Sequence, residues 1–258
     1  MTLDLLWTDV CFLFLFVVVT AFTLNGLRKP PIRRAFSQIF SSAISVSAAV
    51  VLLFFIIIAV LDCIHLKAAG SQEAFSVLDK ILSPLGTVYE KTYSAPLSLT
   101  LYTSETTLKD GKAVQIYPRL SYPPKSLQSA EDVHHFVQKV LESSVLIAVV
   151  MVALLWAGVQ LFRKCFTTFR TLRPSKAALS GYITLMISLS ILIASFWLSR
   201  YLHVLGTGKI GQDVLFYAVK SIRTGMIIGT LTTLFMMPLA LGFGIAAGYF
   251  GGVVDDVI

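Results

Sequence analysis

Five long apolar stretches divide the chain, and polar or mixed segments separate them. They cover about residues 9–27, 43–62, 144–162, 179–198 and 225–247. A helix across about 30 Å of hydrocarbon needs roughly 20 apolar residues, so each stretch is long enough to span. The pattern predicts an all-α integral membrane protein with about five transmembrane helices. Asp4 and Asp9, rather than Lys or Arg, precede the first stretch, so we expect a retained span and not a signal peptide.

The segment between the second and third spans, residues 63–143, has mixed polarity. Its apolar rhythm predicts a helix over 71–82 with Ser71 as its cap, and a second helix leading into the third span. Alternating apolar positions around a turn predict a hairpin between them. The hairpin residues are Leu97, Leu99, Leu101, the turn Asp110 and Gly111, then Val114 and Ile116. We therefore expect a small α+β insertion in an otherwise helical protein.

Composition agrees with a membrane class. The chain is 56% hydrophobic and 14% charged, whereas a soluble domain is about 45–50% apolar and about 25% charged. The formal net charge is +7, but the basic residues are not gathered with aromatic residues, so we expect no nucleic-acid partner. The three cysteines lie far apart, without metal-ligand spacing.

Two basic links predict the direction of the spans. "LRKPPIRR" follows the first span and "RKCFTTFRTLRPSK" follows the third, and neither contains an acidic residue. The positive-inside rule places both links in the cytoplasm of a multi-pass inner-membrane protein. The N-terminus and residues 63–143 are then extracytoplasmic, and the C-terminus is cytoplasmic. The predicted units are 1–62 with two spans, the extracytoplasmic domain 63–143, 144–198 with two spans, and 199–258.

The last unit begins with "HVLGTGKIGQDVLF", in which Gly206, Gly208 and Gly211 have the spacing of a dinucleotide-binding turn. That turn lies between a strand and a helix, whereas here a membrane span precedes the glycines. Lys209 is followed by Ile210 and not by Ser or Thr, which excludes a phosphate loop as well. We expect no nucleotide and no cofactor at this segment.

A turn feeding a short helix is the alternative interpretation of the same residues. Asp213 is predicted to cap an amphipathic helix over 214–223, because its side chain can accept a hydrogen bond from the first turn. Gly225 is predicted to break that helix before the last span. His65 and His203 are predicted to lie at the membrane interface.

The same region resembles the C-type permease subunit of the oligopeptide, dipeptide and nickel ABC importer family. Order and spacing match a periplasmic His-x-Leu-Gly-Thr loop, an amphipathic stretch and a Gly-rich span ending in Ala-Gly-Tyr-x-Gly-Gly-x-x-Asp. The matching residues are His203, Leu205, Gly206, Thr207, Gly211, Asp213, Val214, Arg223, Gly242, Ala247, Gly248, Tyr249, Gly251, Gly252 and Asp255. Lys209 and Gln212 depart from the family pattern. The resemblance covers about 200–258, with the fourth span as the family's first span.

The resemblance implies a function and its partners. It implies a permease subunit of an importer for oligopeptides or dipeptides, working with a second permease subunit, cytoplasmic ATPase subunits and an extracytoplasmic peptide-binding protein in the lipid bilayer. Residues 199–258 would be only the start of the permease core, truncated before the ATPase-coupling loop. The alternatives are a membrane-anchored interaction protein or a non-functional permease remnant.

Small residues in the last span predict helix packing, within this chain or with a partner permease, since they let membrane helices approach closely. The predicted packing residues are Gly225, Gly229, Pro238, Gly244, Gly248, Gly251 and Gly252. A pore-lining role is the weaker alternative, and Pro238 predicts a kink.

Catalytic and metal chemistry find little support in the sequence. "EDVHHF" places Glu131 near His134 and His135, but a solvated helix face explains them better than a metal site that lacks a third ligand. Ser180 and its neighbours have no base within the membrane. No span carries a charge near its centre, as a proton relay would require. We therefore expect no enzyme and no metal.

Overall fold

The structure, a computed structural model, describes residues 2–3, 7–67, 74–109, 112–166 and 176–252. It is mostly helical, with two small sheets. The helices are α1 (Trp7–Gly26), α2 (Pro30–Ile39), α3 (Ala43–Cys63), α4 (Val77–Ile81), α5 (Ser83–Gly86), α6 (Ala130–Phe166), α7 (Lys176–Leu198) and α8 (Val214–Phe250). The strands are β1 (Thr2–Leu3), β2 (His65–Lys67), β3 (Ala74–Ser76), β4 (Glu105–Lys109) and β5 (Lys112–Ile116).

Five helices are long and apolar enough to cross a membrane: α1, α3, α6, α7 and α8. This confirms the predominantly helical fold and the expectation of five helices of spanning length and composition. The helix predicted before the third span is continuous with it in α6. The break predicted at Gly225 is wrong, because α8 runs through that residue for 37 residues in all. A glycine inside a helix costs only about 1 kcal/mol relative to alanine, which is not enough to end a helix that is anchored beside it.

The span helices pack side by side, with α3 in contact with α7, α8 and α1, and with α7 in contact with α6. A small residue sets the approach of α3 and α7: a Cβ built on Gly181 would lie 2.7 Å from Cγ1 of Val46. Two polar contacts join the same helices. Ser180 Oγ donates to the carbonyl of Ala43 at 2.9 Å, and Thr184 Oγ1 donates to Ser47 Oγ at 2.9 Å.

The described residues of 64–129 form a small α+β region, which we call the cap. One antiparallel sheet has the order β1-β2-β3, and β4 pairs with β5 in a second sheet. Leu127, Val133 and Leu202 form a buried apolar cluster, with Leu97 and Leu99 packed against it. Since Leu202 follows α7 in the chain, the segment after α7 is part of the cap's core.

Two local predictions for the cap need correction. The helix predicted over 71–82 is strand β3 followed by α4. Its cap is Ser76, whose Oγ accepts a hydrogen bond from the amide of Asp79 at 2.9 Å. The predicted cap, Ser71, lies outside the described residues. Residues 74–76 form a strand because they pair with β2, although the spacing of the apolar residues in this segment is typical of a helix.

The predicted hairpin exists, but its first strand is β4, at residues 105–109, and not the leucine-rich run before it. In that leucine-rich run, Leu101 is buried and Leu97 has a positive φ of 56°, which is not the backbone conformation of a strand. Val114 and Ile116 lie in β5 as expected. The predicted turn at Asp110 and Gly111 falls outside the described residues.

Candidate functional site

The segment 203–213, which we call the motif loop, crosses the cap in close contact with residues 90–97. Gly206 and Gly211 have φ values of +76° and +75°, which favour glycine. A Cβ on Gly206 would lie 2.3 Å from the carbonyl oxygen of Ser94, and a Cβ on Gly211 would lie 1.7 Å from that of Glu90. These two glycines are therefore required by backbone geometry and close approach, not by a phosphate.

Hydrogen bonds fix the motif loop to the cap along its length. Thr207 Oγ1 donates to the carbonyl of Thr92 at 2.7 Å, and the Thr207 amide donates to Ser94 Oγ at 3.1 Å. The amide of Glu90 donates to the carbonyl of Gly211 at 2.9 Å. His203, Gly206, Thr207, Gly211 and Asp213 are buried, whereas Leu205, Lys209 and Ile210 are exposed. The loop is thus a folded part of the cap.

His203 lies at the centre of this contact with 0% of its surface exposed. The structure places it inside the cap and not at the membrane interface. Its Nδ1 is 2.6 Å from Oδ2 of Asp213, and the ring of Tyr122 packs against it with centroids 4.8 Å apart. Tyr122 donates its hydroxyl to the carbonyl of Ser199 at 2.6 Å. Burial, and then the negative charge of Asp213, raise the pKa of Tyr122.

The other ring nitrogen of His203 faces a carboxylate. Nε2 is 3.9 Å from Oε1 of Glu90 and has no hydrogen-bond partner among the residues that the structure describes. Glu90 Oε1 accepts hydrogen bonds from the amides of Ser121 and Tyr122, each at 2.8 Å, and from the Ser121 hydroxyl. An aspartate-oriented histidine resembles part of a catalytic triad, but this one faces a carboxylate instead of a nucleophile. The contacts of His203 with Asp213 and Tyr122 therefore indicate a structural role inside the cap.

Asp213 serves a second structural purpose at the start of α8. Its Oδ1 accepts a hydrogen bond from the amide of Phe216 at 3.0 Å, which confirms the predicted cap. One carboxylate therefore holds both His203 and the first turn of α8. The Phe216 ring then packs over Gly86 of α5.

The next two turns of α8 carry two basic anchors. Lys220 Nζ donates to Oδ1 of Asp79 at 2.7 Å. Burial raises the pKa of Asp79, but the hydrogen bond from Lys220 and those from Ser76 outweigh burial, so the pKa stays below its ordinary value. This pair ties α8 to α4 in the cap.

Arg223 is the second anchor and joins three span helices. Its Nε donates to Oδ1 of Asp9 in α1 at 3.0 Å, and its Nη1 lies 3.8 Å from Oδ2 of Asp62 in α3. Asp62 also accepts a hydrogen bond from Ser76 Oγ at 2.7 Å, and His65 Nδ1 lies 3.4 Å from the second oxygen of Asp9. We call these five residues the Asp–Arg cluster.

The Asp–Arg cluster places two carboxylates in a buried position. Asp9 is 0% exposed and Asp62 is 1% exposed, and within the described part of the chain Arg223 supplies the only guanidinium that faces them. Within the described ranges, one oxygen of each carboxylate has no hydrogen-bond partner. Losing one member of a buried pair usually destabilises a protein strongly, because it leaves an uncompensated charge. The guanidinium is therefore needed by both aspartates.

Sequence reasoning identified Arg223 through the resemblance but missed both of its partners. The order of the spans could have indicated these partners, because it determines which span ends lie on the same side of the membrane. With five spans, the start of the first, the end of the second and the start of the fifth share one side of the membrane. Asp9, Asp62 and Arg223 occupy those three ends, and ionic side chains at span ends favour pairing.

The remaining candidates are not brought together within the described residues. A Cβ built on Gly225, Gly229, Gly244, Gly248, Gly251 or Gly252 would have no neighbour within 4 Å. Pro238 lies inside the continuous helix α8. These positions therefore make no close contact with the described part of this chain, and packing against a partner subunit stays a prediction.

No metal-binding group emerges from the described part of the chain, where no three His, Cys, Asp or Glu residues meet in suitable geometry. Asp132, from the "EDVHHF" segment, instead accepts hydrogen bonds from the amides of Ser129 and Gln128 before α6. The rings of His134 and His135 lie edge to face at 6.5 Å.

Comparisons with known proteins give no relative: no protein-family model, curated protein or solved structure matches this chain.

Proposed function

We propose that this chain is a permease subunit of an importer for oligopeptides or dipeptides. It would act with a second permease subunit, with cytoplasmic ATPase subunits that supply the energy, and with an extracytoplasmic peptide-binding protein. The proposal begins from the sequence resemblance of residues 200–258.

One observation carries the proposal beyond that resemblance. Five of its residues, His203, Gly206, Thr207, Gly211 and Asp213, interlock in the buried motif loop. A sixth, Arg223, ties the same helix to two other spans. Within residues 203–223, every matching polar or glycine position takes part in this one connected structure, which a chance match of letters gives no reason to expect. The matched residues behave as a structural motif.

The exposed length of α8 also supports a subunit of a larger assembly. Beyond Arg223 no residue of α8 is buried, and the large side chains from Ile228 to Phe250 are mostly exposed. Lipid can cover such a surface, but the five glycines from Gly225 to Gly248 offer close approach to another helix. A second permease subunit would use that approach.

Isolation of the complex from native membranes tests the proposal. The tagged chain is purified in mild detergent, and its partners are reconstituted into vesicles with labelled peptide outside and ATP inside. We expect an ATPase and a second permease at fixed stoichiometry, and peptide accumulation that needs ATP. Accumulation that is equal with and without ATP, or a complex without an ATPase, would contradict the proposal.

The β4–β5 hairpin favours a second candidate function, that of a membrane-anchored interaction protein. Every residue of β5 is exposed, and Leu108 in β4 is 79% exposed. Exposed apolar side chains on an isolated hairpin are common at protein–protein contacts. The double variant Leu108→Ser and Val114→Ser separates the two functions. It should leave ATP-driven uptake unchanged in a permease, and it should release the partner of an interaction protein.

A further inference from the structure

The link between α1 and α3 has the charge of a surface that binds anions. Residues 27–42 contain four basic residues, Arg28, Lys29, Arg33 and Arg34, and no acidic residue. None of the four forms an ion pair with any residue that the structure describes. Their charge is therefore uncompensated within the described chain.

Helix α2 within this link has two distinct faces. Ile32, Ala35, Phe36 and Ile39 recur at the i, i+3, i+4 and i+7 positions that form one helical stripe. Arg33 and Arg34 lie on the flank and on the opposite side, together with Ser37 and Gln38. Pro30 begins the helix, in the first-turn position where its missing N–H is not needed. The sequence thus encodes a short amphipathic helix.

The chain covers little of the apolar face. Ile32 packs near Gly26 at the end of α1, where an added Cβ would lie 3.4 Å from its Cδ1. No residue of α2 is buried, and Ile39 is 54% exposed. Phe36 and Phe40 stack on each other at 6.3 Å, and Phe40 remains exposed as well. The face therefore has room for an apolar partner.

Its place in the chain defines which apolar partner is near. Helix α2 begins four residues after the end of α1 and ends four residues before α3, and both neighbours are long and apolar enough to span a membrane. A helix between two span ends lies at the membrane boundary. Amphipathic helices there bury their apolar face at the level between headgroups and acyl chains. Basic residues beside them attract anionic lipid.

We propose that α2 is a binding surface for anionic phospholipid of the bilayer. Ile32, Phe36 and Ile39 enter the acyl boundary, and Arg33 and Arg34 bind headgroup phosphates. Guanidinium suits this role because its planar N–H groups match phosphate oxygens two at a time. The surface ties the α1–α3 hairpin to the leaflet that it faces. This inference does not depend on the proposed transport function.

Lipid titration of the full-length protein tests the proposal. The purified chain in detergent is titrated with phosphatidylglycerol and, separately, with phosphatidylcholine, and bound lipid is counted by native mass spectrometry. We expect the double variant Arg33→Gln and Arg34→Gln to bind phosphatidylglycerol about 25-fold more weakly, since each basic residue at a membrane surface contributes about a fivefold factor. Its binding of phosphatidylcholine should not change.

Two matched variants make the result specific. Lys112→Gln with Lys125→Gln removes the same charge from exposed positions of the cap and should leave phosphatidylglycerol binding unchanged. Arg33→Lys with Arg34→Lys keeps the charge and should retain most of the binding, which excludes a folding defect. Ile39→Ser should weaken binding through the apolar face alone.

Three results would overturn the proposal. The first is phosphatidylglycerol binding by the Arg33→Gln and Arg34→Gln variant as tight as in the original chain. The second is an equal loss in the Lys112→Gln and Lys125→Gln variant, which would indicate a net-charge effect. The third is displacement of phosphatidylglycerol by inorganic phosphate at equal concentration, which would indicate a site for a free anion instead of a lipid.

Discussion

The motif loop and the distal part of α8 both carry glycines of the same sequence motif, yet their surroundings are opposite. In the loop, an added Cβ on Gly206 or Gly211 would overlap the cap backbone. On α8, an added Cβ on Gly242 or Gly248 would meet nothing within 4 Å. The polar anchors of α8 are also confined to its start, at Asp213, Lys220 and Arg223.

This contrast separates two reasons for a glycine. The loop glycines are explained by this chain alone, because their φ values and close contacts are internal. The α8 glycines have no such explanation within the described residues, so any reason for them lies outside those residues. Substitutions at the two sets should therefore affect stability very differently.

The largest effect is expected for Gly211→Ala in the motif loop. The new Cβ would overlap the Glu90 carbonyl, and a φ of +75° disfavours alanine, so we expect a loss of about 4 kcal/mol or more of folding stability. Thermal unfolding in detergent measures it. Gly208→Ala is the control, since its Cβ would lie 3.8 Å from the nearest atom. Equal melting of the two variants would contradict the tight contact.

The next effect is expected in the Asp–Arg cluster. Asp9→Asn should cost about 3 kcal/mol, because it removes the carboxylate to which Arg223 donates directly. Asp62→Asn should cost much less, since Asp62 lies 3.8 Å from the guanidinium, beyond hydrogen-bond distance. Chemical denaturation of both variants in the same detergent compares them. The reverse order would show that Asp62 is the main partner.

A smaller effect is expected where α3 meets α7. Gly181→Ala should cost about 2 kcal/mol, because the added methyl overlaps Val46, and Val46→Ala should restore part of the loss. Gly229→Ala on α8 is the matched control and should not destabilise the isolated chain, since its Cβ would meet nothing within 4 Å and alanine favours a helix over glycine by about 1 kcal/mol. If Gly229→Ala weakens only an assembled complex, the α8 glycines contact another subunit.

The smallest effect is expected for Lys220→Gln, which removes a partly exposed ion pair worth less than about 1 kcal/mol. Because the pKa of Asp79 is lowered in the folded state, this stabilisation is present above the ordinary aspartate pKa of about 4. It is lost as the pH falls through the lowered folded value. Melting temperatures of the two proteins should differ at neutral pH and converge in strong acid. A constant difference would point to the cation–π contact of Lys220 Nζ, which lies 5.5 Å from the centroid of the Phe216 ring.

The spans were predictable because apolar length is a local property of the chain. The Asp213 cap was also predictable, since one residue and the turn after it define a cap. The predicted helix over 71–82 was wrong because pairing with β2 decided strand β3, and a local window does not contain that partner. The predicted break at Gly225 was wrong because the nearby ion pair of Arg223 is formed with distant residues.

The sequence by itself determined the number of spans, the helical class and the turn-forming character of the motif loop. Hydrophobic length and single-residue conformational preference are sufficient for these properties. Only the tertiary structure decided that His203 is buried against Asp213 and Tyr122, and that Arg223 meets Asp9 and Asp62. Asp9 and Arg223 are 214 residues apart in the chain, and their attraction acts only after the helices that carry them have packed together.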